Sequence, residues 1–354
     1  MRSWSGRMAR AVSAAALVTA WGPVESVRAQ GRDQIVPFTG QTATGTILKM
    51  SPTEVEIDVR GAAKKFAVNE IDRLSFGDEP QDVRNGKARA HDGQYEEALA
   101  LLNRTAEAIS NTMIQEDLEY YRAFAAARLA LTGGGDKAAS AKAMLDFIGA
   151  RPASFHYYEA TALTGDLAYA MGRYDVASTY YSKLGEAPWP DYQLRAKVLD
   201  AKSLMAQEKY AEAQRRYEQV GEATVDTAAA TRQKVLARIG RAKCLAMQGK
   251  PDEGQPEVES IIRDNDPQDI ELFARAYNAL GVCHSKANRP KDALLAFLHT
   301  DLLFAADADA HAESLFYLSE LWTVAGKSDR AVDARTLLKS RYAGSVWAGK
   351  GALP

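Results

Sequence analysis

Gly93-Gln94-Tyr95-Glu96-Glu97-Ala98 is the phrase on which the reading of this chain turns. It returns as Gly172-Arg173-Tyr174-Asp175-Val176-Ala177 and as Glu208-Lys209-Tyr210-Ala211-Glu212-Ala213. Weaker copies stand at 249–254, 288–293 and 326–331, and one at 133–138 fills the long gap. With the last residue of each copy as reference, the series runs 98, 138, 177, 213, 254, 293, 331, at intervals of 36 to 41 residues. A period of that length is the mark of stacked supersecondary units.

Two further columns test the register. Five residues before the references stand Gly93, Gly133, Gly172, Glu208, Gly249, Asn288 and Gly326, mostly residues that accept a positive φ just past a helix end. Twelve before stand Gly86, Ala126, Gly165, Ala201, Ala242, Gly281 and Ser319, all small. A column of small residues on a helix lets a second helix pass close by. Each unit therefore reads as helix, turn, helix. Leu272, Phe273, Ala276 and Leu280 recur at helical spacing on one first helix, and Leu294, Phe297 and Leu298 on its partner. Pro251 and Pro290 fall where the second helix starts, the place a helix tolerates proline best. One such pair cannot bury its own apolar face, so the pairs must stack into a superhelix.

On these residues the chain resembles the tetratricopeptide repeat family. The match lies in the small residue of the first helix (Gly86, Gly165, Gly281), the Ala opening the second (Ala98, Ala177, Ala213, Ala293) and the large residue four further on (Leu102, Tyr181, Tyr217, Val258, Phe297). It covers about residues 80–342. Units here are longer than the family's usual ones, its Trp and Pro positions are mostly unfilled, and Gly254 stands where Ala is usual. The resemblance implies a mainly α superhelical solenoid of about seven hairpins that binds other proteins without catalysis.

Residues 34–77 differ in kind. Val55, Ile57 and Val59 alternate with Glu54, Glu56, Asp58 and Arg60, as on a half-buried strand. Thr46-Ile47-Leu48 precedes them, and Phe66, Val68, Ile71, Leu74 and Phe76 follow. Four or five short strands predict a small SH3-like or Sm-like barrel. So small a module has little core of its own, and it is expected to dock on the first helices or on a partner, joined through Gly77–Pro80.

The ends carry their own signals. Arg2, Arg7 and Arg10, the apolar run Ala11–Trp21 and the small-x-small site Val27-Arg28-Ala29 predict a secretory signal peptide over residues 1–29. The run is too short to span a bilayer, which takes about 20 residues. This places the protein in the periplasm or outside the cell. Residues 343–354 are a tail in which Val346 and Trp347 are positioned to cap the last repeat. Formal net charge is -2, with no basic field that would gather nucleic acid.

No catalytic or metal-binding constellation is legible. His91, His156, His284, His299 and His311 share no metal-ligand spacing, so they read as surface or packing residues, and no cofactor is implied. Gly133-Gly134-Gly135 lacks the Lys-Ser/Thr of a phosphate loop and reads as a linker between helices. Cys244 and Cys283 hold equivalent places in neighbouring first helices. Packed helices lie about 8–10 Å apart, beyond the roughly 4.4–6.8 Å between Cα atoms that a disulfide spans. Two free, buried thiols are expected.

The family's first helices line a concave groove. Carried over by register, the groove positions are Lys87, Asp166, Lys202, Lys243, Val282 and Glu320, then Tyr169 and Met205, with Asn278 and Phe316 at the mouth. The lysines at the centre, Lys202 and Lys243, either attract an acidic or polar protein segment or simply keep the surface soluble. The resulting expectation is an envelope scaffold whose partners are other proteins, with self-association through an end helix open. The alternative is binding of nucleic acid or polysaccharide by the β module, where Lys64-Lys65 is the one basic pair.

Overall fold

The computed structural model describes residues 32–105 and 109–351; the expected signal peptide, residues 1–29, lies outside the described residues. Among the described residues 14 helices form seven consecutive hairpins. They are α1 Gln81–His91 with α2 Tyr95–Arg104, α3 Thr112–Leu131 with α4 Lys137–Ala150, α5 Tyr157–Ala170 with α6 Tyr174–Leu184, and α7 Pro190–Ala206 with α8 Tyr210–Gly221. Then come α9 Ala228–Met247 with α10 Pro251–Asp264, α11 Ile270–Lys286 with α12 Pro290–Leu303, and α13 Ala308–Val324 with α14 Ser328–Arg341.

Local chemistry fixes these bounds. Pro190, Pro251 and Pro290 open α7, α10 and α12, where a missing N–H costs nothing. Side-chain oxygens of Asn111, Asp136, Thr227, Asp269 and Asp307 accept from backbone N–H groups at the starts of α3, α4, α9, α11 and α13. All seven residues of the turn column take positive φ, including Glu208 at 62° and Asn288 at 57°. Glu208 does so against its own Cβ, which clashes with the following carbonyl in that region.

The two sequence columns meet in space. A Cβ on Gly281 would lie 2.6 Å from the Phe297 ring, one on Gly165 2.5 Å from Tyr181, and one on Gly86 2.6 Å from Leu102. The absent side chain of the first helix is therefore the space that the large residue of the second helix fills. In the fifth hairpin the relation inverts: a Cβ on Gly254 would press on the backbone of Ala242, 2.7 Å from its carbonyl oxygen. Glycine there lets α10 lie tightly on α9.

One reference position needs correcting. Ala138 is exposed, and its place on α4 is taken by Ser140, which is buried and donates to the Ala126 carbonyl at 3.1 Å. The turn Gly133-Gly134-Gly135 makes this hairpin two residues longer before its buried contact than the register assumed. Cys244 and Cys283 are free and buried on α9 and α11, and burial raises both thiols to about 12.

In front stand five antiparallel strands, β1 Asp33–Pro37, β2 Ala43–Met50, β3 Glu54–Val59, β4 Ala62–Ala67 and β5 Ile71–Ser75. Their order is β4-β3-β2-β1-β5, so the first strand, which shows little alternation, returns to pair with the last. Ile35, Val55, Ile57, Phe66, Leu74 and Phe76 form the core, as the alternation of Val55 and Ile57 with acidic neighbours predicts. That core continues into Ile114 of α3, Phe155 and Trp189. The module thus docks across the second to fourth hairpins rather than on the first pair alone. The Asn69 amide donates to Asp191 on α7 at 3.2 Å.

A buried charged cluster joins the module to the repeats. Lys87 of α1 pairs with Glu79 at 2.8 Å and with Asp117 of α3, while His156 bonds the other Asp117 oxygen at 2.7 Å. All four residues are buried. Burial raises the Asp117 carboxyl, but Lys87 and His156 together hold it below its ordinary value. Glu79 moves the other way, since its burial outweighs the pull of Lys87.

Candidate binding cavity

The first helices of successive hairpins turn their inner faces to one another, and the superhelix winds tightly. A Cβ on Gly133, in the α3–α4 turn, would strike the Arg341 carbonyl at the end of α14, and one on Gly344 would strike Lys137. The second hairpin and the last therefore touch. Between them lies a half-open cavity of about 1290 Å³, lined by α3, α5, α7, α9, α11, α13, the C-terminal segment and the tip of the β module at Phe38 and Thr39. Small-molecule pockets run to roughly 300–1,000 Å³, so this space suits a stretch of chain.

Its wall mixes apolar and charged groups. Leu131, Val198, Leu199, Leu236 and Ile270 supply the apolar area. Ion pairs tie successive first helices together, Arg195 to Glu159 at 2.6 Å (α7 to α5) and Arg232 to Glu271 at 2.6 Å (α9 to α11), while Arg275 holds the same Glu271 at 2.9 Å within α11. Arg275, with help from Arg232, pulls Glu271 down to about 2, so it stays ionised. Among the described residues Arg128 and Lys137 are the lining cations without a carboxylate partner. Burial lowers the Lys137 ammonium, as expected for a charge with no counter-ion.

The structure separates the residues assigned to the groove. Asp166, Tyr169 and Lys202 line the cavity. Lys202 reaches across it to Asp309 on α13 at 2.7 Å, with its ammonium 4.3 Å from the Tyr169 ring centre. Burial pushes the Asp309 carboxyl up, and Lys202 more than offsets this. Asp166 accepts from the Tyr181 hydroxyl at 2.9 Å. Lys243 pairs with Glu313, so neither central lysine is free to attract an acidic guest.

Four of the assigned residues lie inside the wall instead. Lys87 belongs to the buried cluster, Asn278 donates to the Ala310 carbonyl at 2.8 Å, and Val282 and Phe316 sit in the core. Register alone places a residue on a first helix; the tight winding decides that these side chains meet the next helix instead of a guest. Met205 receives the Tyr217 hydroxyl at 3.8 Å, and Glu320 pairs with Arg335 of α14 at 2.5 Å. On the β module, Lys65 is paired with Glu54 at 2.8 Å. Arg128, Arg195, Arg232 and Arg275 were missed by the sequence reading. The signal was available, because all four fall on first helices among apolar residues.

The C-terminal segment adds a wall of its own. Beyond α14, Ser345 and Val346 line the cavity. Trp347 packs on Phe316 and Tyr317 of α13, at 5.7 and 6.1 Å between ring centres. Lys243 of α9 and Lys350 lie 5.6 and 4.4 Å from the same indole.

Comparison with solved structures places the architecture. A Rap protein complexed with competence and sporulation factor superposes with a TM-score of 0.52 at 14% identity, over 75% of this chain and 76% of that one. A tetratricopeptide repeat protein from Parabacteroides merdae gives 0.50 at 13%, over 74% and 92%. The fold is of the tetratricopeptide type. No family model and no curated protein matches the sequence. Among the described residues no helix is long and apolar enough to cross a membrane, and no cluster of three His, Cys, Asp or Glu could hold a metal.

Proposed function

We propose that this chain is an exported, non-catalytic scaffold of the cell envelope that holds a segment of a partner protein inside its superhelix. The observation that carries the reading is the half-open cavity of about 1290 Å³, walled by the inner faces of six first helices. Its six basic and seven acidic lining residues nearly balance, and most are paired with each other. Such a wall selects by shape, apolar contact and a few hydrogen bonds rather than by net charge. The Rap neighbour, complexed with a factor, gives a precedent for a partnered protein of this fold. Export rests on the leader-like residues 1–29.

A photo-crosslinking amino acid at Val198, on the cavity wall, tests this against the same group at Leu302, which is exposed on the outer face of α12. In envelope extract the Val198 probe is expected to capture a discrete partner that the Leu302 probe does not. Identical products from both positions, or none from Val198, would overturn the reading. Export is checked by sequencing the N-terminus of the mature protein, expected to begin at Gln30.

A further inference from the structure

Phe38 is 68% exposed, whereas Phe66 and Phe76 of the same β module are buried. One apolar residue in water means little by itself; the place of this one gives it meaning. Strand β1 pairs with β5 through a bulge at Val36 and Pro37, and a bulge re-aims the side chains beside it. Just beyond, the Phe38 N–H donates to the Glu70 carbonyl at 2.9 Å, which holds the β1–β2 turn on the corner before β5. From that same corner the Asn69 amide reaches Asp191 in the first turn of α7 at 3.2 Å. Phe38, Asn69, Glu70 and Asp191 all line the cavity, beside Tyr192 of α7. The charge of this stretch of rim differs from that of the wall behind it. Glu159, Glu271 and Asp309 are each neutralised by an arginine or a lysine. Glu70 and Asp191 have no cation partner among the described residues, and Arg195, one turn on from Asp191, is taken by Glu159 at 2.6 Å. The cavity's unpaired cations, Arg128 and Lys137, belong to α3 and α4 instead. An exposed aromatic ring edged by unneutralised carboxylates is complementary to a side chain with an apolar stem and a positive head.

We propose that the β module is the specificity wall of the cavity, where Phe38, Glu70 and Asp191 take a basic side chain of the bound partner segment, arginine in preference to lysine. This rests on the scaffold reading above. The stem of the guest residue lies on the Phe38 ring, and its head meets the two carboxylates. Guanidinium is favoured because it stacks flat on an aromatic face and bonds a carboxylate through two N–H groups, whereas an ammonium acts as a point charge. The same carboxylates repel the phosphates of a nucleic acid, so the module serves the protein-binding cavity and is not a separate polymer-binding site.

The probe is a phage library of short random peptides panned on the full chain, with the enriched sequences remade as fluorescent peptides. They are expected to carry arginine beside an apolar residue. Phe38→Ala is expected to weaken their binding roughly tenfold, the loss typical of an anchoring side chain. Glu70→Lys is expected to weaken it at least as much, by a loss that shrinks as salt screens the exposed charge. Leu48→Ala, which alters an apolar residue 53% exposed on β2 and outside the cavity, is expected to leave affinity unchanged. Phe38 and Glu70 are both exposed, and circular dichroism checks that their variants keep the fold. Should either unfold, the peptides with arginine replaced by glutamine carry the test on the unmodified chain and are expected to lose the same affinity. Enriched peptides without a basic residue, or peptides indifferent to Phe38→Ala or to Glu70→Lys, overturn the proposal. If such peptides still crosslink to the probe at Val198, the scaffold reading stands without it. Peptides that answer to both rim variants yet fail to crosslink at Val198 keep the rim site and remove the cavity as the place of binding. A library that enriches nothing removes both.

Discussion

Gly281→Ala puts a number on the contact that repeats along the superhelix. The new methyl would sit 2.6 Å from the Phe297 ring, which is fully buried and stacked on Tyr317 at 4.5 Å between centres. The ring has no free side to retreat to. Overpacking of this kind costs about 1–3 kcal/mol, and so close an approach to a pinned ring puts it near the top of that range. Replacing a helical glycine returns about 1 kcal/mol of helix propensity, leaving a net loss of about 2 kcal/mol. Gly149→Ala, in exposed α4 with open space at the new Cβ, gains the propensity alone and is expected to stabilise by up to about 1 kcal/mol. Urea unfolding followed by helical circular dichroism reads both variants. In a repeat array it is analysed as a shift of midpoint, because units unfold with neighbour coupling. Phe297→Leu in the Gly281→Ala background should recover part of the loss, a coupling within about 0.5–3 kcal/mol. A Gly281→Ala chain as stable as the parent would show that the small and large columns are not held against each other.

Three other outcomes follow from local chemistry. Glu208→Gly should stabilise by about 0.5–1 kcal/mol in the same urea assay, because the positive φ costs a side-chain-bearing residue about 1–2 kcal/mol and glycine gives back part in unfolded-state entropy. Lys87→Met leaves two buried carboxylates without their cation and should cost about 3–5 kcal/mol. Acid acts on the same cluster through His156, whose folded value is lowered mainly by burial. The stability it contributes is present above its unfolded value, about 6.5, and is lost as pH falls through the folded one. His156→Gln should flatten that loss of melting temperature below neutrality. Finally, a thiol reagent is expected to find no reactive sulfur in the folded chain and two after denaturation without reductant, because both are buried and raised to about 12.

The sequence carried the hairpins well because small and large residues at fixed offsets are a direct imprint of two helices in contact. It misplaced Ala138 because three consecutive glycines stretch the turn, and a register counted from that turn slips with it. The groove was legible only to the level of the helix. Whether Asn278 faces a guest or the Ala310 carbonyl depends on how tightly the units wind, a small rotation per repeat accumulated over seven. The β module shows the same limit. The alternation at Val55 and Ile57 reveals a strand, but nothing local to Asp33–Pro37 says that it pairs with a strand nearly 40 residues away. Trp347 was visible as a cap for the last repeat, and its approach to Lys243 on α9 was not.

The touch between the α3–α4 turn and the end of α14 also constrains how the chain can evolve. Most arrays of this kind lengthen or shorten by duplicating or dropping a unit, since each unit answers only to its neighbours. Here an added hairpin would carry Arg341 one step past Gly133 and unseat the latch, and a lost one would stop short of it. The run of six hairpins from the second to the last is held to that number by this contact, which leaves substitution of residues on the inner wall as the route to a change of specificity.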